Sequence, residues 1–265
     1  VSLGAEKYKA SAGLPLLTDV LDTVDHLAGE SKRRTLVVID EFQQVIREGG
    51  DTAERQIRSV VQRHRNIAYV FAGSKTRMLI DMTNNPDRAF WKLGSRRVVG
   101  PIPREPFLKF LRAGFADAGM SVQDKALDRL IDLAADVPYN VQQLAHVCWE
   151  RLRTRPQSSL TNEFVDEALD ALVAMENSPY TQLWTSLTST QRTMVRAVIE
   201  ERGHGLRSRE VLARYAMASS TATRALRALD DRGVLREDED GMDIRYRLED
   251  PFLAAWLFWT QKAGH

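Results

Sequence analysis

Apolar residues follow two different rhythms in the first third of the chain. Leu17, Val20, Leu21, Val24 and Leu27 recur at helical spacing, with Pro15 suited to a first turn, which predicts a helix from Leu14 to Leu27. Gly29 and the basic run Ser31-Lys-Arg-Arg34 break it. Leu36 to Ile39 is an unbroken apolar run rich in β-branched residues, which predicts a strand buried on both faces in a helix-covered parallel sheet. The run stops at two adjacent carboxylates, Asp40 and Glu41. A short helix from Phe42 to Arg47, a turn at Gly49-Gly50 and a helix from Glu54 to Arg65 follow. Ala68 to Ala72 reads as a second buried strand, ending in Gly73-Ser74. Helix, strand, helix, strand is the rhythm of a doubly wound α/β sheet. Residues 1–13 carry no comparable pattern.

Lys75 to Met82 predicts a short helix, Asn84-Asn85-Pro86 a turn, and Arg97-Val-Val-Gly-Pro101 a third, shorter strand. The pattern then turns wholly helical, over Arg104–Ala118, Asp124–Ala135, Pro138–Arg153 and Asn162–Met175. Arg155 to Ser159 is a loop, and Thr161 is placed to cap the last of these helices. A different unit starts near Tyr180. Thr190–Arg202, Ser208–Tyr215 and Ser219–Arg232 are three helices, each preceded by a capping Ser or Thr. Two strand-like runs, Gly233–Arg236 and Ile244–Leu248, flank Glu237-Asp-Glu-Asp-Gly241. Three helices and a hairpin in that order predict a winged helix-turn-helix. The expected organisation is an α/β portion over 1–103, a helical portion over 104–178 and a winged helix over 179–265.

Composition changes this picture little. The chain has 265 residues, 43% hydrophobic and 28% charged, with a formal net charge of +1. That excludes wholesale disorder and a nucleic-acid binder driven by bulk charge, but not a local basic face. One cysteine, Cys148, excludes a disulfide framework and a cysteine-rich zinc site and fits a reducing cytoplasm. No apolar run is long enough to span a membrane, and no signal peptide is visible. The chain begins at Val1 rather than Met, as a fragment or a processed form would.

An apolar strand ending in Asp-Glu is the Walker B pattern of P-loop ATPases. There the Asp supports Mg²⁺ and the Glu orients or deprotonates the attacking water. The same residues also suit a buried strand leading into a helix whose first turn carries acids. Further segments extend the likeness: Val37-Val-Ile-Asp-Glu-Phe-Gln43, Val70-Phe-Ala-Gly-Ser74, Val99-Gly-Pro-Ile-Pro103, Val137-Pro-Tyr-Asn-Val-Gln-Gln-Leu144 and Asp250-Pro-Phe-Leu-Ala-Ala-Trp-Leu257. In order and spacing the chain resembles the archaeal-type ATPases of the STAND/AAA+ group, which have a helical lid and a C-terminal winged helix.

That resemblance implies Asp40 as the Mg²⁺-side acid, Glu41 as the water-activating acid and Ser74 as a polar sensor of the γ-phosphate. It places Val137-Pro138-Tyr139 where relatives set a Gly-x-Pro turn against the nucleotide base, with Asp136 in place of the glycine. Arg77, Arg96 and Arg97 are candidates for a charge-stabilising arginine. The P-loop itself is missing, since no Gly-x-x-x-x-Gly-Lys-Ser/Thr occurs in the sequence. In the family that loop follows a strand lying between the sensor strand and the one matching Val98–Pro101, so its absence predicts a gap in the sheet. ATP and Mg²⁺ are thus expected only in an intact parent, and this chain alone is expected to be inactive.

In the winged helix, Ala222, Leu226 and Leu229 predict the inward stripe of the third helix, and Thr221, Arg224, Arg227 and Ala228 its outward face. That face suits DNA. The acids Glu237 to Asp240 on the wing oppose phosphate, and residues 188–262 hold 13 Lys/Arg against 12 Asp/Glu. Three expectations stay open: a switch protein whose lid and winged helix contact a protein partner or a second copy, a DNA-binding regulator on a vestigial ATPase scaffold, and a nucleotide-free interaction protein whose Walker B pair is vestigial.

Overall fold

The computed structural model describes residues 13–31, 33–74, 76–155, 159–240 and 243–263. Expectations resting on residues 1–12, Lys32, Lys75, 156–158 and Gly241 lie outside the described residues, as do the side chains of Pro15, Arg77 and 238–240. The chain divides into two compact units, Val1–Val99 and Gly100–His265.

The first unit contains α1 (Gly13–Ser31), β1 (Thr35–Ile39), α2 (Phe42–Arg63), β2 (Ile67–Phe71) and α3 (Thr76–Asn84). β1 and β2 pair in parallel, from Thr35 opposite Ile67 to Ile39 opposite Phe71. α2 joins the two predicted helices, interrupted at Gly50, whose φ of 58° and ψ of −156° only glycine adopts readily. Phe42 is buried at the centre of the core, its ring 4.5 Å from Phe71 and 5.3 Å from Phe90, with Ile46, Ile57 and Met82 around them.

Three expectations for this unit are corrected. Gly29 does not end α1, which runs on to Ser31. Its lack of a side chain serves packing, because a Cβ there would stand 2.9 Å from Asn66 Nδ2. The strands are covered on one face only: Leu36, Val38 and Val70 are 58%, 57% and 44% exposed, alternating with half-buried Val37, Ile39 and Tyr69. Arg97-Val-Val-Gly-Pro101 forms no strand, and Val98 and Val99 are 63% and 88% exposed. A strand needs a partner for its N–H and C=O groups; the expected order puts the P-loop strand between β2 and this segment, and among the described residues no strand pairs with β2 on that side.

The segment after α3 is pinned to α2 through a buried acid. Glu54, 1% exposed, binds Arg88 at 2.7 Å and accepts the Phe90 N–H at 3.2 Å. Arg58 donates to the carbonyls of Ala89 and Trp91 beside them.

The second unit contains α4 (Arg104–Asp117), β3 (Ser121–Val122), α5 (Asp124–Leu133), α6 (Pro138–Arg153), β4 (Ser159–Leu160), α7 (Asn162–Met175) and α8 (Asn177–Ser186). It continues with α9 (Ser189–Glu200), α10 (Arg209–Arg214), α11 (Ser219–Asp231), β5 (Leu235–Asp240), β6 (Asp243–Leu248) and α12 (Phe252–Ala263). One continuous apolar core runs from Phe107 to Leu257. Thr161 caps α7 by accepting the Phe164 N–H, and Thr188 forms a capping box with Gln191, each contributing about 1 kcal/mol. Ser208 caps α10, but α11 starts at Ala218 without a side-chain cap, against expectation.

The helices α8 and α12 were not anticipated, and together they explain the Asp250-Pro-Phe…Trp-Leu segment. Asp250 accepts the Phe252 N–H at 2.9 Å, starting α12, and accepts the Tyr180 hydroxyl of α8 at 2.6 Å. Burial, then this carboxylate, raises the Tyr180 pKa well beyond the usual phenol range. Trp256 donates to Asn177 at 2.8 Å, so α12 is locked against α8 by two polar contacts within an apolar seam. Among the described residues no helix is long and apolar enough to cross a membrane.

Candidate functional site

The two parallel strands end at the same edge, where ligands of open α/β sheets bind. The ladder continues past β1 and β2: Ala72 N–H donates to Ile39 C=O, and Phe42 N–H to Ala72 C=O, both at 2.9 Å. Asp40, Glu41, Gly73 and Ser74 are thereby fixed side by side. Asp40 is exposed, and its Oδ1 accepts the Glu41 N–H at 2.8 Å.

Glu41 takes the left-handed conformation, with φ 47° and ψ 38°. For a residue with a side chain that costs on the order of 1–3 kcal/mol, and such strain concentrates at functional positions. Its carboxylate is exposed and meets Ser74: the Ser74 hydroxyl donates to Glu41 Oε2 at 3.4 Å. Gln43, 2% exposed, stands behind both, with Nε2 donating to Glu41 Oε2 and, at 3.3 Å, to Ser74 Oγ. A Cβ on Gly73 would fall 2.0 Å from Gln43 Oε1, so a side chain there would displace the carboxamide from this position.

Glu41 and Ser74, chosen 33 residues apart in the sequence, are thus brought together, with Asp40 adjacent to them. Gln43 is not singled out by the sequence pattern. Its one visible signal was a polar residue among apolar neighbours in the first turn of an amphipathic helix. Arg96 is occupied with Asn84 Oδ1 at 3.0 Å, and Arg97 is exposed.

These groups suit a hydrated Mg²⁺. Among the described residues no cluster of three or more His, Cys, Asp or Glu side chains could enclose a metal. Mg²⁺ is commonly held by one or two carboxylates, with waters and phosphate oxygens completing its shell. Asp40, exposed at the end of β1, is such a carboxylate. Phosphate is not provided for in the same way, because the sequence contains no Gly-rich loop ending in Lys-Ser/Thr.

Pro138 and Tyr139 belong to the second unit. Pro138 opens α6 at its first turn, and Tyr139 is 72% exposed. The turn before them is strained, with φ 52° at Ala135 and 59° at Asp136. Asp136 therefore holds the backbone conformation that glycine would adopt freely, and Arg104 grips its carboxylate at 3.7 Å along with those of Asp128 and Asp132.

The winged-helix surface is the second candidate. On α11, Ala222, Leu226 and Leu229 are buried as expected, and Arg224 and Arg227 are exposed. Thr221 and Ala228 are half-buried rather than outward, whereas Thr223 is exposed. The inward stripe is wider than expected because Ala225 is buried too. In the wing, Leu235 pairs with Leu248 and Glu237 with Tyr246, while Arg236 pairs with Arg247 and Asp238 with Arg245. Paired residues share a face of a hairpin. Leu235 and Tyr246 face the core, so Arg236, Arg245 and Arg247 all belong to the opposite face. Of the four acids Glu237 to Asp240, only Asp238 is paired with an arginine of β6, Arg245.

A model for a probable winged helix domain matches residues 178–259. No curated protein matches the chain. Among solved structures, the chain is similar to the Orc2 protein of Aeropyrum pernix, solved as ADPNP–ADP complexes: 14% identity, TM-score 0.54, covering 92% of this chain and 69% of that one. It is also similar to the Orc1 protein of the same organism, solved in complex with DNA: 16% identity, TM-score 0.45, covering 88% and 66%. A third is the RuvB Holliday junction branch migration motor of Thermotoga maritima: 14% identity, TM-score 0.47, covering 86% and 71%. The chain thus spans about two thirds of the length of the Orc chains. Its fold is like that of the Orc2 chain, an α/β part followed by helices and a winged helix.

Proposed function

We propose that the chain works within an ATP-dependent switch protein of the STAND/AAA+ type, in which a further segment supplies the P-loop. Asp40 supports Mg²⁺, Glu41 orients the attacking water and Ser74 senses the γ-phosphate. Bound together, Mg²⁺ and ATP supply the electrophilic phosphorus and the neutralising charge. The chain's own residues orient water and fix the site's geometry. The observation that carries this reading is the convergence of a strained Glu41 with Ser74 at the shared edge of two parallel strands. Leu36, Val38, Val70 and Val98–Val99, all exposed and apolar, are what a sheet short of a strand and a covering helix would leave bare.

In the same reading residues 179–265 form a winged-helix contact module for a protein partner or a second copy. The test is made on a form that carries a Gly-Lys-Ser/Thr segment. Glu41→Gln is expected to bind Mg·ATP and lose turnover by roughly a hundredfold or more. Asp40→Asn is expected to weaken Mg²⁺-dependent binding as well. Equal, mild effects of both would reject the reading and leave the acids as helix-start residues.

A second reading, DNA binding by the winged helix through Thr221, Arg224 and Arg227, is favoured by one observation. Arg224 and Arg227 are exposed on α11, and the wing gathers Arg236, Arg245 and Arg247 on one face.

A further inference from the structure

Gln43 is among the few buried polar side chains of the described residues, and nothing in the proposed chemistry requires it. Its carboxamide nitrogen Nε2 donates to Glu41 Oε2 and, at 3.3 Å, to Ser74 Oγ, and the Ser74 hydroxyl closes the ring onto the same Glu41 oxygen at 3.4 Å. The other end of the carboxamide is costly, since Oε1 is buried and has no hydrogen-bond partner. Leaving a buried carbonyl oxygen unpaired opposes folding unless the arrangement is held for another reason. An apolar side chain of similar length would fill the site without that cost.

The ring also decides which oxygen of Glu41 is available. Both donors converge on Oε2, and Oε1 has no hydrogen-bond donor among the described residues. The backbone of Glu41 is bent into the left-handed region and tied through its N–H to Asp40 Oδ1. Gly73 belongs to the same device, because any Cβ there would collide with Gln43 Oε1.

We propose that Gln43 is a positioning residue that locks Glu41 Oε2 and the Ser74 hydroxyl into one unit, so that Glu41 Oε1 is the oxygen presented to water. The proposal rests on the nucleotide reading of Asp40, Glu41 and Ser74. It makes Ser74 and Glu41 respond together: a group that draws the Ser74 hydroxyl away takes one hydrogen bond from Nε2 and one from Oε2 at the same time.

The first test needs no nucleotide. In the 265-residue chain, Glu41→Ala and Ser74→Ala should each shift the Gln43 carboxamide proton resonances and speed their exchange with solvent. A Glu41→Ala/Gln43→Ala cycle followed by urea unfolding should show coupling of at least about fivefold in the unfolding constant. Unmoved resonances and additive effects would overturn the positioning. If Gln43→Ala does not fold, Gln43→Met, close in length and without donors, takes its place in the cycle.

The second test uses the form carrying the P-loop. Gln43→Met should lower kcat about tenfold or more with KM for ATP within about twofold, while Gln43→Asn should recover part of kcat. A Gln43→Met enzyme with normal kcat would overturn the proposal. Failure of the underlying reading looks different. The wild-type form would then not turn over ATP although the coupling persists, and the role given to Oε1 would fall with that reading.

Discussion

Arg88 places Nη2 2.7 Å from Oε2 of Glu54, a carboxylate that is 1% exposed and also receives the Phe90 N–H. Removing one partner of a buried pair leaves the other charge uncompensated, a loss of about 3–5 kcal/mol. Glu54→Ala and Arg88→Ala are each expected to destabilise the chain on that scale. The double substitution should cost less than their sum, as urea unfolding would measure. The segment that follows, Ala89 to Leu93, should lose amide exchange protection first, because Glu54 and Arg58 hold it. Near-wild-type stability of either single variant would show that the pair is not needed.

Gly203 sets the wing. Its φ is 80°, and a Cβ would stand 1.9 Å from the Tyr246 carbonyl oxygen, a backbone atom that cannot swing away. Gly203 C=O also accepts the Tyr246 N–H at 3.0 Å, docking β6 onto the end of α9. Gly203→Ala therefore combines a strained conformation with a steric clash. It is expected to cost more than the roughly 1 kcal/mol of an ordinary loop glycine change and to expose the Tyr246 amide to exchange. Unchanged protection of that amide would reject this account of how the wing is held.

The contact between α1 and the α2–β2 turn should be acid-sensitive. His64 Nε2 lies 2.7 Å from Asp22 Oδ1 and Nδ1 lies 2.6 Å from the Tyr69 hydroxyl, while Arg63 donates to both Asp22 oxygens. Asp25, one turn along α1, receives the Arg65 and Asn66 N–H groups. Hydrogen bonds from His64 and then Arg63 hold the Asp22 carboxyl below its ordinary value of 3.8. Burial, then the negative charges of Asp25 and Asp22, pushes the Tyr69 hydroxyl up to about 12, so it stays protonated throughout. A depressed carboxyl pKa gives stability that is full above 3.8 and is lost as pH falls through the folded value. The stability difference between wild type and Asp22→Asn should shrink over that window. A difference independent of pH would remove Asp22 from the account.

Periodicity identified α1, α2, β1, β2 and most helices of the second unit, because each buries one face of its own regular pattern. It failed where burial depends on a neighbour. The run Leu36 to Ile39 looks fully buried in the sequence, yet Leu36 and Val38 have nothing over them among the described residues. Val98 and Val99 have the residue types of a strand, but among the described residues no strand pairs with them. The helices α8 and α12 escaped because Trp184, Tyr180 and Trp256 pack through contacts made 70 or more residues apart. At the candidate site, Asp40, Glu41 and Ser74 were legible from their places after apolar strands. Gln43 was not, because its role depends on reaching 31 residues forward to Ser74.

The winged helix separates the two readings of its role most sharply, and salt is the variable that does it. Arg224 and Arg227 are exposed one turn apart on α11 with Thr223 beside them, and the wing arginines share a single face. If this surface takes duplex DNA, Arg224→Ala and Arg227→Ala should each weaken binding, by about 1–3 kcal/mol where the side chain reads a base. Where it meets only phosphate, each loss should instead flatten the dependence of log K on log salt by about 1. Thr221→Ala should matter less than Thr223→Ala, because Thr221 is half-buried and Thr223 is not. Serines in place of Glu237 to Asp240 should tighten binding by removing four like charges from the wing. A protein-contact module behaves otherwise. It would show no salt-dependent affinity above a weak background, and the same arginine changes would alter assembly or nucleotide turnover instead. Fluorescence anisotropy of a labelled duplex, titrated at several salt concentrations with the wild type and Arg224→Ala, tells the two apart. A steep salt slope that Arg224→Ala reduces assigns the surface to DNA, and a flat, weak isotherm for both proteins assigns it to a protein partner.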